Sequence, residues 1–290
     1  MPKRTGKIVE EIYSKESDEE YSDEQEQDNE YNGTTIICIR DGSIFKKIMD
    51  LLKEVLDVGI FIINDDGITL QSLDSSHVSL IQMLLEKSGF SEFIYNTKQE
   101  DDLELAIHMG TLCGILKCLT NGEEIRILHE EGSSKVGLIF ENKDTGSYKK
   151  FNLNLLNDES SIVSIPDNKY DCRIKTLGSE FQNILKNLSN IGDYVSLSID
   201  KKNQFVNFES AGLQSDALIR MIKNNYTKIK IIDEVSEKYS LKYLATYAKS
   251  CSFGSRVSIF LKKNSPIILE YKIDHIDGIL KYYIAPKSGD

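Results

Sequence analysis

The sequence has no run of apolar residues that approaches the roughly 18–20 needed for a membrane-spanning helix, so we exclude an integral membrane protein and expect no membrane partner. Residues 1–15 lack the apolar segment of a signal peptide, which argues against secretion. The five cysteines form no Cys-x-x-Cys pair, and only four histidines are present. We therefore expect neither a zinc module nor a disulfide scaffold.

Excess positive charge is also absent, because 35 Lys and Arg stand against 46 Asp and Glu and the net charge is −11. A uniformly basic nucleic-acid binder is excluded, but a protein with segregated charge is not. Residues 1–34 hold 4 basic and 11 acidic side chains, a net charge of −7, which leaves −4 for residues 35–290. With few large aliphatic residues and dense like charge, residues 1–34 are predicted to form a disordered acidic tail.

Motifs for catalysis or cofactor binding are missing as well. Residues 65–67, Asp-Asp-Gly, supply too few ligands for a calcium loop and are typical of a hairpin turn. No glycine-rich segment ends in the Gly-Lys-Ser/Thr of a phosphate loop. Residues 74–77, Asp-Ser-Ser-His, adjoin in sequence, but neighbours in a strand point to opposite faces and do not build a catalytic triad. We predict no enzyme activity, no catalytic residue, no metal site and no cofactor.

The sequence does contain an internal duplication. Residues 43–53 have apolar side chains at helical spacing, and two strands separated by a tight turn follow at 59–63 and 68–73. The same order of helix, strand, polar turn and strand recurs about 136 residues later, at residues 179–188, 194–199 and 204–208. Each copy also holds a second predicted helix followed by a strand, with the helices at 108–119 and 240–250 and the strands at 125–129 and 256–261.

This repeat predicts an α+β fold of two duplicated domains, each with two helices packed on one face of an antiparallel sheet. The predicted domains are 35–153 and 169–290, and the polar residues 154–168 are interpreted as the interdomain connector.

All four predicted helices carry lysine on the face opposite their apolar stripe. These lysines are Lys46, Lys47, Lys53, Lys117, Lys186, Lys242 and Lys249. Lysine is a good helix former and helix faces are often solvated, which explains any single helix without a function. Because the pattern recurs in four helices of duplicated units, a binding face and a merely solvated face are about equally supported.

Residues 70–80, Leu-Gln-Ser-Leu-Asp-Ser-Ser-His-Val-Ser-Leu, come close to a family signature, and residues 43–47, 115–118, 188–193 and 280–287 give supporting matches. On these residues the sequence resembles the proliferating cell nuclear antigen family, the eukaryotic-type DNA sliding clamps, over 35–290. The resemblance implies a clamp fold that forms a homotrimeric ring, with helices around a central hole that encircles duplex DNA without reading its sequence.

The resemblance also implies roles for individual residues. The seven lysines above become the DNA-binding residues of the channel. Gly114 stands where the family usually has lysine and Asn183 where it often has arginine, so we expect a less positive channel than usual. Ring closure is expected to pair a strand near 148–153 with one near 217–222 of the next subunit.

Clamps of this family tether DNA polymerase and other proteins through short peptides, and an ATP-driven clamp loader opens and loads the ring. The matched peptide-binding residues lie in the signature, the connector and the C-terminal region. They are Leu73, His77, Val78, Leu80, Val163, Ile165, Pro266, Tyr283, Ile284 and Pro286.

Two alternatives remain beside a replicative clamp. A subunit of a heterotrimeric checkpoint clamp would share the fold, although such subunits resemble this sequence more distantly. A nucleic-acid-acting enzyme would need carboxylates clustered around metal, whereas the acidic runs lie in the tail and turns. The resemblance implies a nuclear location for a cellular eukaryotic protein, and a viral replication site or the host nucleus or cytoplasm for a viral one.

Overall fold

The computed structural model describes residues 33–97, 102–157, 163, 165 and 169–287. The predicted acidic tail lies almost entirely outside the described residues, as does most of the predicted connector. The domain boundaries therefore stay predictions.

In the described residues, each half of the chain contains two α-helices and many antiparallel strands. The first half consists of β1 (Thr34–Ile39), α1 (Gly42–Leu52), β2 (Val58–Asn64), β3 (Gly67–Leu73), β4 (Ser79–Glu86), β5 (Glu92–Asn96), β6 (Leu103–His108), α2 (Met109–Leu116), β7 (Glu124–Glu130), β8 (Lys135–Asn142) and β9 (Ser147–Asn154). The second half consists of β10 (Cys172–Leu177), α3 (Gly178–Ser189), β11 (Tyr194–Asp200), β12 (Phe205–Ala211), β13 (Asp216–Ile222), β14 (Lys228–Ile231), β15 (Ser236–Ser240), α4 (Leu241–Ala248), β16 (Arg256–Leu261), β17 (Ile267–Ile273) and β18 (Gly278–Ile284). Short 3₁₀ turns lie at Lys87–Gly89 and Lys249–Ser252.

Helix α1 illustrates how the local sequence sets an element. The Asp41 carboxylate accepts a hydrogen bond from the Ser43 backbone N–H at 3.0 Å and caps the start of the helix. Apolar residues at spacings of four, Ile44, Ile48 and Leu52, are buried on one side. The helix therefore packs one stripe into the core and leaves its other side to solvent.

Three antiparallel sheets organise the described strands. Their orders are β5-β1-β7-β8-β9, β13-β12-β11-β15 and β14-β10-β16-β17-β18-β4-β3-β2-β6. The nine-stranded sheet joins the two halves, because β18 of the second half pairs with β4 of the first. The predicted α+β class, with duplicated units of antiparallel sheet and two helices each, is confirmed.

The helices cover one face of the nine-stranded sheet. Tyr282 of β18 is fully buried on that face, where its ring stacks on Tyr247 of α4 with 4.0 Å between ring centres and its hydroxyl lies 2.7 Å from Ser250 Oγ. Its neighbour Tyr283 lies on the opposite face. The sheet thus separates two surfaces, and the helices of the described residues lie on one of them. The longest helix in the described part of the chain has 12 residues, and no helix there could span a membrane.

Candidate functional site

The helices, or the residues that directly follow them, present lysine on the solvent side. Lys47, Lys53, Lys117, Lys186, Lys242 and Lys249 are exposed and Lys46 is half-buried. The opposite side of each helix is buried among core residues such as Leu112 in α2 and Leu188 in α3. Helix α1 packs beside α2, and α3 beside α4. All seven lysines singled out in the sequence are therefore at least partly accessible.

One lysine on this surface is paired. Lys249 Nζ lies 2.5 Å from Glu54 Oε2, which joins the end of α4 to the residues that follow α1. This ion pair links the two halves of the chain and offsets part of the positive charge. Gly114 is exposed on α2, and a Cβ built there meets no atom within 4 Å. Asn183 is also exposed. Because glycine and asparagine are uncharged, neither position supplies the positive charge that the family often has there.

An apolar cavity of about 270 Å³ opens on the other face of the nine-stranded sheet. Eight of the ten residues predicted to bind partner peptides line it: Leu73, His77, Val78, Leu80, Val163, Ile165, Pro266 and Tyr283. Leu80 lies directly opposite Tyr283, and Tyr283 directly opposite Ile268, so β4, β18 and β17 form its floor. The cavity has an apolar floor and a polar rim, so it is suited to bind an apolar side chain.

Val163, in the predicted connector, is held beside the cavity by the side chain of Gln71. The Gln71 amide donates from Nε2 to the Val163 carbonyl at 3.1 Å, and its Oε1 accepts from the Val163 N–H at 2.6 Å. This pair of hydrogen bonds resembles the pairing of a neighbouring strand and fixes Val163 beside β3. Val163 remains 40% exposed.

Two of the ten predicted residues do not line the cavity. Ile284 is fully buried, since it follows Tyr283 in β18 and alternate residues of a strand face opposite ways. Pro286 lies beyond the strand and outside the lining. Residues that the sequence reasoning missed include Tyr170, Ile268 and Ala285. Strand alternation would have found Ile268, which lies two positions after Pro266.

The loop at the rim of the cavity is organised by Asp74. This buried carboxylate accepts hydrogen bonds from the N–H groups of Ser76, Val78 and Ser79 at 3.0, 2.8 and 2.5 Å, and from the Tyr243 hydroxyl at 3.1 Å. Burial raises the pKa of Asp74, but these hydrogen bonds outweigh it and hold the pKa below its ordinary value. An ionised Asp74 is therefore a structural acceptor that shapes the rim, and not a general acid.

His77 completes the turn with a backbone φ of 55°, a left-handed conformation that a non-glycine residue adopts only when the surroundings hold it. Its N–H donates to the Asp74 carbonyl at 2.9 Å. The imidazole is exposed at the mouth of the cavity.

Three of the free cysteines, Cys38, Cys113 and Cys172, are buried. Burial raises the pKa of the Cys38 and Cys172 thiols to about 12 and that of Cys113 to about 11, so these thiols stay protonated. No group of three or more His, Cys, Asp or Glu that could hold a metal ion occurs among the described residues.

Two end strands carry exposed apolar side chains. Strand β9 pairs only with β8, and β13 only with β12, among the described strands. Tyr148 on β9 is 58% exposed, and Leu218 and Ile222 on β13 are 52% and 57% exposed. An unpaired strand edge with apolar side chains is a template for pairing with another chain.

Two duplicated units that share a sheet, with lysine-bearing helices on one face and a cavity on the other, have the architecture of a DNA clamp. The family model described as "Proliferating cell nuclear antigen, N-terminal domain" matches residues 37–161. The model of the corresponding C-terminal domain matches residues 164–287. The crystal structure of Proliferating Cellular Nuclear Antigen from Entamoeba histolytica is similar at a TM-score of 0.77 and 28% identity, over 88% of this chain and 99% of that one.

The chain therefore belongs to the proliferating cell nuclear antigen family. It is a DNA sliding clamp, and clamps of this family are non-enzymatic.

Proposed function

We propose that three copies of the chain close into a ring around duplex DNA and tether DNA polymerase and other replication and repair proteins to it. The observation that carries this proposal is the display of exposed lysine on or directly after each of the four helices in the described residues, on the face of the molecule opposite the apolar cavity. The clamp performs no chemistry itself, and an ATP-driven clamp loader opens it. It acts where DNA is replicated, in the nucleus of a eukaryotic cell or at the replication site of a virus.

Simple geometry supports a ring of this size. Twelve helices spaced about 10 Å apart make a circle about 38 Å across their axes. Subtracting about 10 Å of helix thickness leaves roughly 28 Å, which admits a duplex with a layer of water. Pairing of β9 with β13 of the next protomer joins two different edges of the chain. Such a heterologous contact forms a closed ring of three protomers when successive protomers are related by a threefold rotation.

The charge distribution suits sliding. Lysines that face phosphates attract DNA without reading bases, and the attraction weakens as salt rises. The net charge of −11 discourages DNA from binding elsewhere on the molecule. We propose Lys46, Lys47, Lys53, Lys117, Lys186, Lys242 and Lys249 as the phosphate-facing residues.

The cavity is proposed to bind the peptides by which partners attach. A short helical turn that carries a spaced aliphatic residue and a pair of aromatic residues would place its apolar side chains on Leu80, Tyr283 and Ile268. A glutamine in the same peptide would be held by polar groups at the rim.

Threading onto linear DNA tests encirclement without a loader. The chain is incubated with a surface-tethered duplex whose free end is then blocked by a bulky protein. A ring stays bound through a high-salt wash and is released when a restriction enzyme cuts the duplex. Release by salt alone, whether or not the end is blocked, would show surface binding and reject the ring.

A triple charge reversal tests the channel assignment on the same tethered duplex with its free end left open, where retention depends on charge attraction and not on topology. Lys53→Glu, Lys117→Glu and Lys249→Glu together are expected to lower retention at low salt and flatten its salt dependence, with the assembled mass unchanged. Retention equal to that of the wild type would reject these lysines as DNA contacts.

A further inference from the structure

Four cations crowd one corner of the sheet face that carries the cavity. Arg173 on β10 lies directly opposite Lys230 on β14, and Lys175 lies directly opposite Lys228. All four side chains are exposed, and together they are called the outer basic patch. Like charges directly opposite each other destabilise a sheet, so folding does not favour this arrangement. In a chain with a net charge of −11 it points to a ligand.

The outer basic patch is not neutralised from within. None of its four side chains forms an ion pair with another residue in the described part of the chain. Of the nearby carboxylates, Glu270 pairs with Lys281 at 3.5 Å and Asp171 accepts from the Lys263 N–H at 3.0 Å. Asp274 lines the same depression as Arg173 and Lys175 without an ion pair to either. The positive charge is therefore available to an anionic partner.

Aromatic contacts connect the patch to the cavity. The Arg173 guanidinium lies 4.8 Å from the centre of the Phe260 ring, and that ring lies 5.0 Å from the ring of Tyr170, which lines the cavity. Tyr283, Ile268, Phe260 and Arg173 also occupy successive strands in register. With strands about 4.8 Å apart, Arg173 lies about 10 Å from Ile268, a span of roughly three extended residues.

We propose that the outer basic patch extends the docking site and selects partner peptides with acidic residues about three to five positions from their apolar anchors. This inference rests on the proposed function of the cavity. Duplex DNA fits the patch less well, because the four cations occupy only two adjacent strands, on the face opposite the helices of the described residues. A rigid rod as wide as a duplex would also cover the carboxylates of Glu270 and Asp274 in the same depression, whereas a single extended peptide can follow the row of Ile268, Phe260 and Arg173.

Three labelled peptides with the same anchors and different flanks test the proposal on the full chain. Their flanks carry three Glu, three Gln or three Lys, and affinity is measured by fluorescence anisotropy. At about 50 mM salt the Glu peptide is expected to bind about tenfold more tightly than the Gln peptide, and at about 300 mM only about twofold, because salt screens exposed charges.

Charge reversal identifies the residues responsible. Lys175→Glu with Lys228→Glu is expected to abolish the preference for the Glu peptide and leave the Gln peptide's affinity unchanged. Lys201→Glu with Lys202→Glu, in an exposed turn, is the matched control and should keep the preference. Lys175→Gln with Lys228→Gln gives a milder pair that should reduce the preference if the reversed pair does not fold.

Several outcomes would overturn the proposal. Equal affinity of the Glu and Gln peptides for the wild type removes it. A reversed pair that loses DNA retention but keeps its peptide preference makes the patch a DNA contact. Tighter binding of the Gln peptide by the reversed pair would mean that acidic residues 1–34 of the chain itself cover the patch. If the Gln peptide fails to bind the wild type at all, the docking function itself fails.

Discussion

Glu123 shows how one residue connects a turn to a strand proposed for assembly. Its side chain is 1% exposed and lies 2.8 Å from Lys149 Nζ on β9. It also accepts hydrogen bonds from the Thr120 N–H at 2.8 Å and the Ser147 hydroxyl at 3.0 Å. Burial raises the pKa of Glu123, but these partners outweigh it and lower the pKa to about 2. The charged form is thus stabilised by folding, and β9 is anchored to the turn.

We expect Glu123→Gln to lower the free energy of unfolding by about 1–2 kcal/mol at pH 7, after allowance for solvent around Lys149. Because the folded pKa is below the ordinary value of 4.5, the stabilisation is present above about pH 4.5 and is lost as pH falls toward 2. Urea unfolding between pH 2 and 7 should show the two proteins converging at the acid end.

The matched control for that prediction is Glu124→Gln, which removes an exposed ion pair with Lys143 at 3.7 Å. It should change stability by less than about 0.5 kcal/mol at any pH. If Glu123→Gln loses no more stability at pH 7 than this control, the carboxylate does not anchor β9.

The cavity is best tested at Leu73. Leu80 is only 8% exposed, so Leu80→Ser would remove core contacts as well as peptide contacts, whereas Leu73 is 37% exposed. Leu73→Ser is expected to weaken peptide binding about tenfold, equivalent to about 1.4 kcal/mol of lost apolar contact. Stimulation of a polymerase on a long primed template should fall with it.

Leu213→Ser serves as the control for the cavity, because Leu213 is fully exposed in the loop between β12 and β13. It should bind peptide like the wild type. Normal binding and stimulation by Leu73→Ser would place the docking site elsewhere.

The sequence resemblance predicted most of the cavity but not its lining in detail. Residues 70–80, which resemble the family signature, form one strand end, a loop and the start of the next strand. Leu73 and Leu80 were predicted because both belong to this segment. Tyr283 and Ile284 were both assigned, although adjacent strand residues cannot share a face. Tyr170 was missed because its place depends on the ring of Phe260, a contact between distant segments.

At the scale of the element, the exposed face of α2 has room for an added charge. A side chain at position 114 would begin in open space, since no atom lies within 4 Å of where its Cβ would stand, and glycine costs a helix about 0.7 kcal/mol relative to lysine. Gly114→Lys is therefore expected to stabilise the fold by up to about 0.7 kcal/mol. It should also raise DNA retention and steepen the slope of log affinity against log salt concentration by the amount expected for about one added phosphate contact.

Gly114→Gln separates the two effects, since it gains similar helix propensity without charge. It should match Gly114→Lys in thermal stability and match the wild type in salt dependence. Equal DNA retention by all three proteins would show that this face of α2 does not approach the phosphates.

The spacing of apolar residues predicted all four helices, but not where they end. The second helix, predicted over 108–119, is α-helical only over Met109–Leu116, and the fourth changes to a 3₁₀ turn at Lys249. Apolar residues continue past both ends because the following turns are also buried, as at Leu119 and Phe253. The pairing of β4 with β18 joins segments about 200 residues apart, and no local pattern encodes it.

At the scale of the whole molecule, the shared sheet separates the proposed DNA-facing lysines from the proposed docking cavity. The helices place lysine on one side of it, and the cavity lies on the other, where partners would not compete with DNA. The buried Asp74 contacts both layers, because it shapes the rim of the cavity and accepts a hydrogen bond from Tyr243 of α4. A clamp has to hold DNA and partner at the same time, and this layering meets that requirement.

Assembly provides the final test. The wild type is expected to have about three times the mass of one 32.9 kDa chain by light scattering after gel filtration. Leu218→Lys with Ile222→Lys should yield single chains, because removing two charged side chains from water between protomers is costly. The fold should survive, since Leu218 lies opposite Glu209 and a lysine there gains a cross-strand partner.

The same double substitution at two exposed apolar residues outside β13, Leu213→Lys with Ile232→Lys, controls for added charge and should leave the mass of the wild type unchanged. A trimer that persists after substitution at Leu218 and Ile222 would place the interface on another edge. A wild type that stays a single chain at micromolar concentration would remove the homotrimer and favour the subunit of a heterotrimeric clamp, because such a subunit needs unlike partners to close its ring.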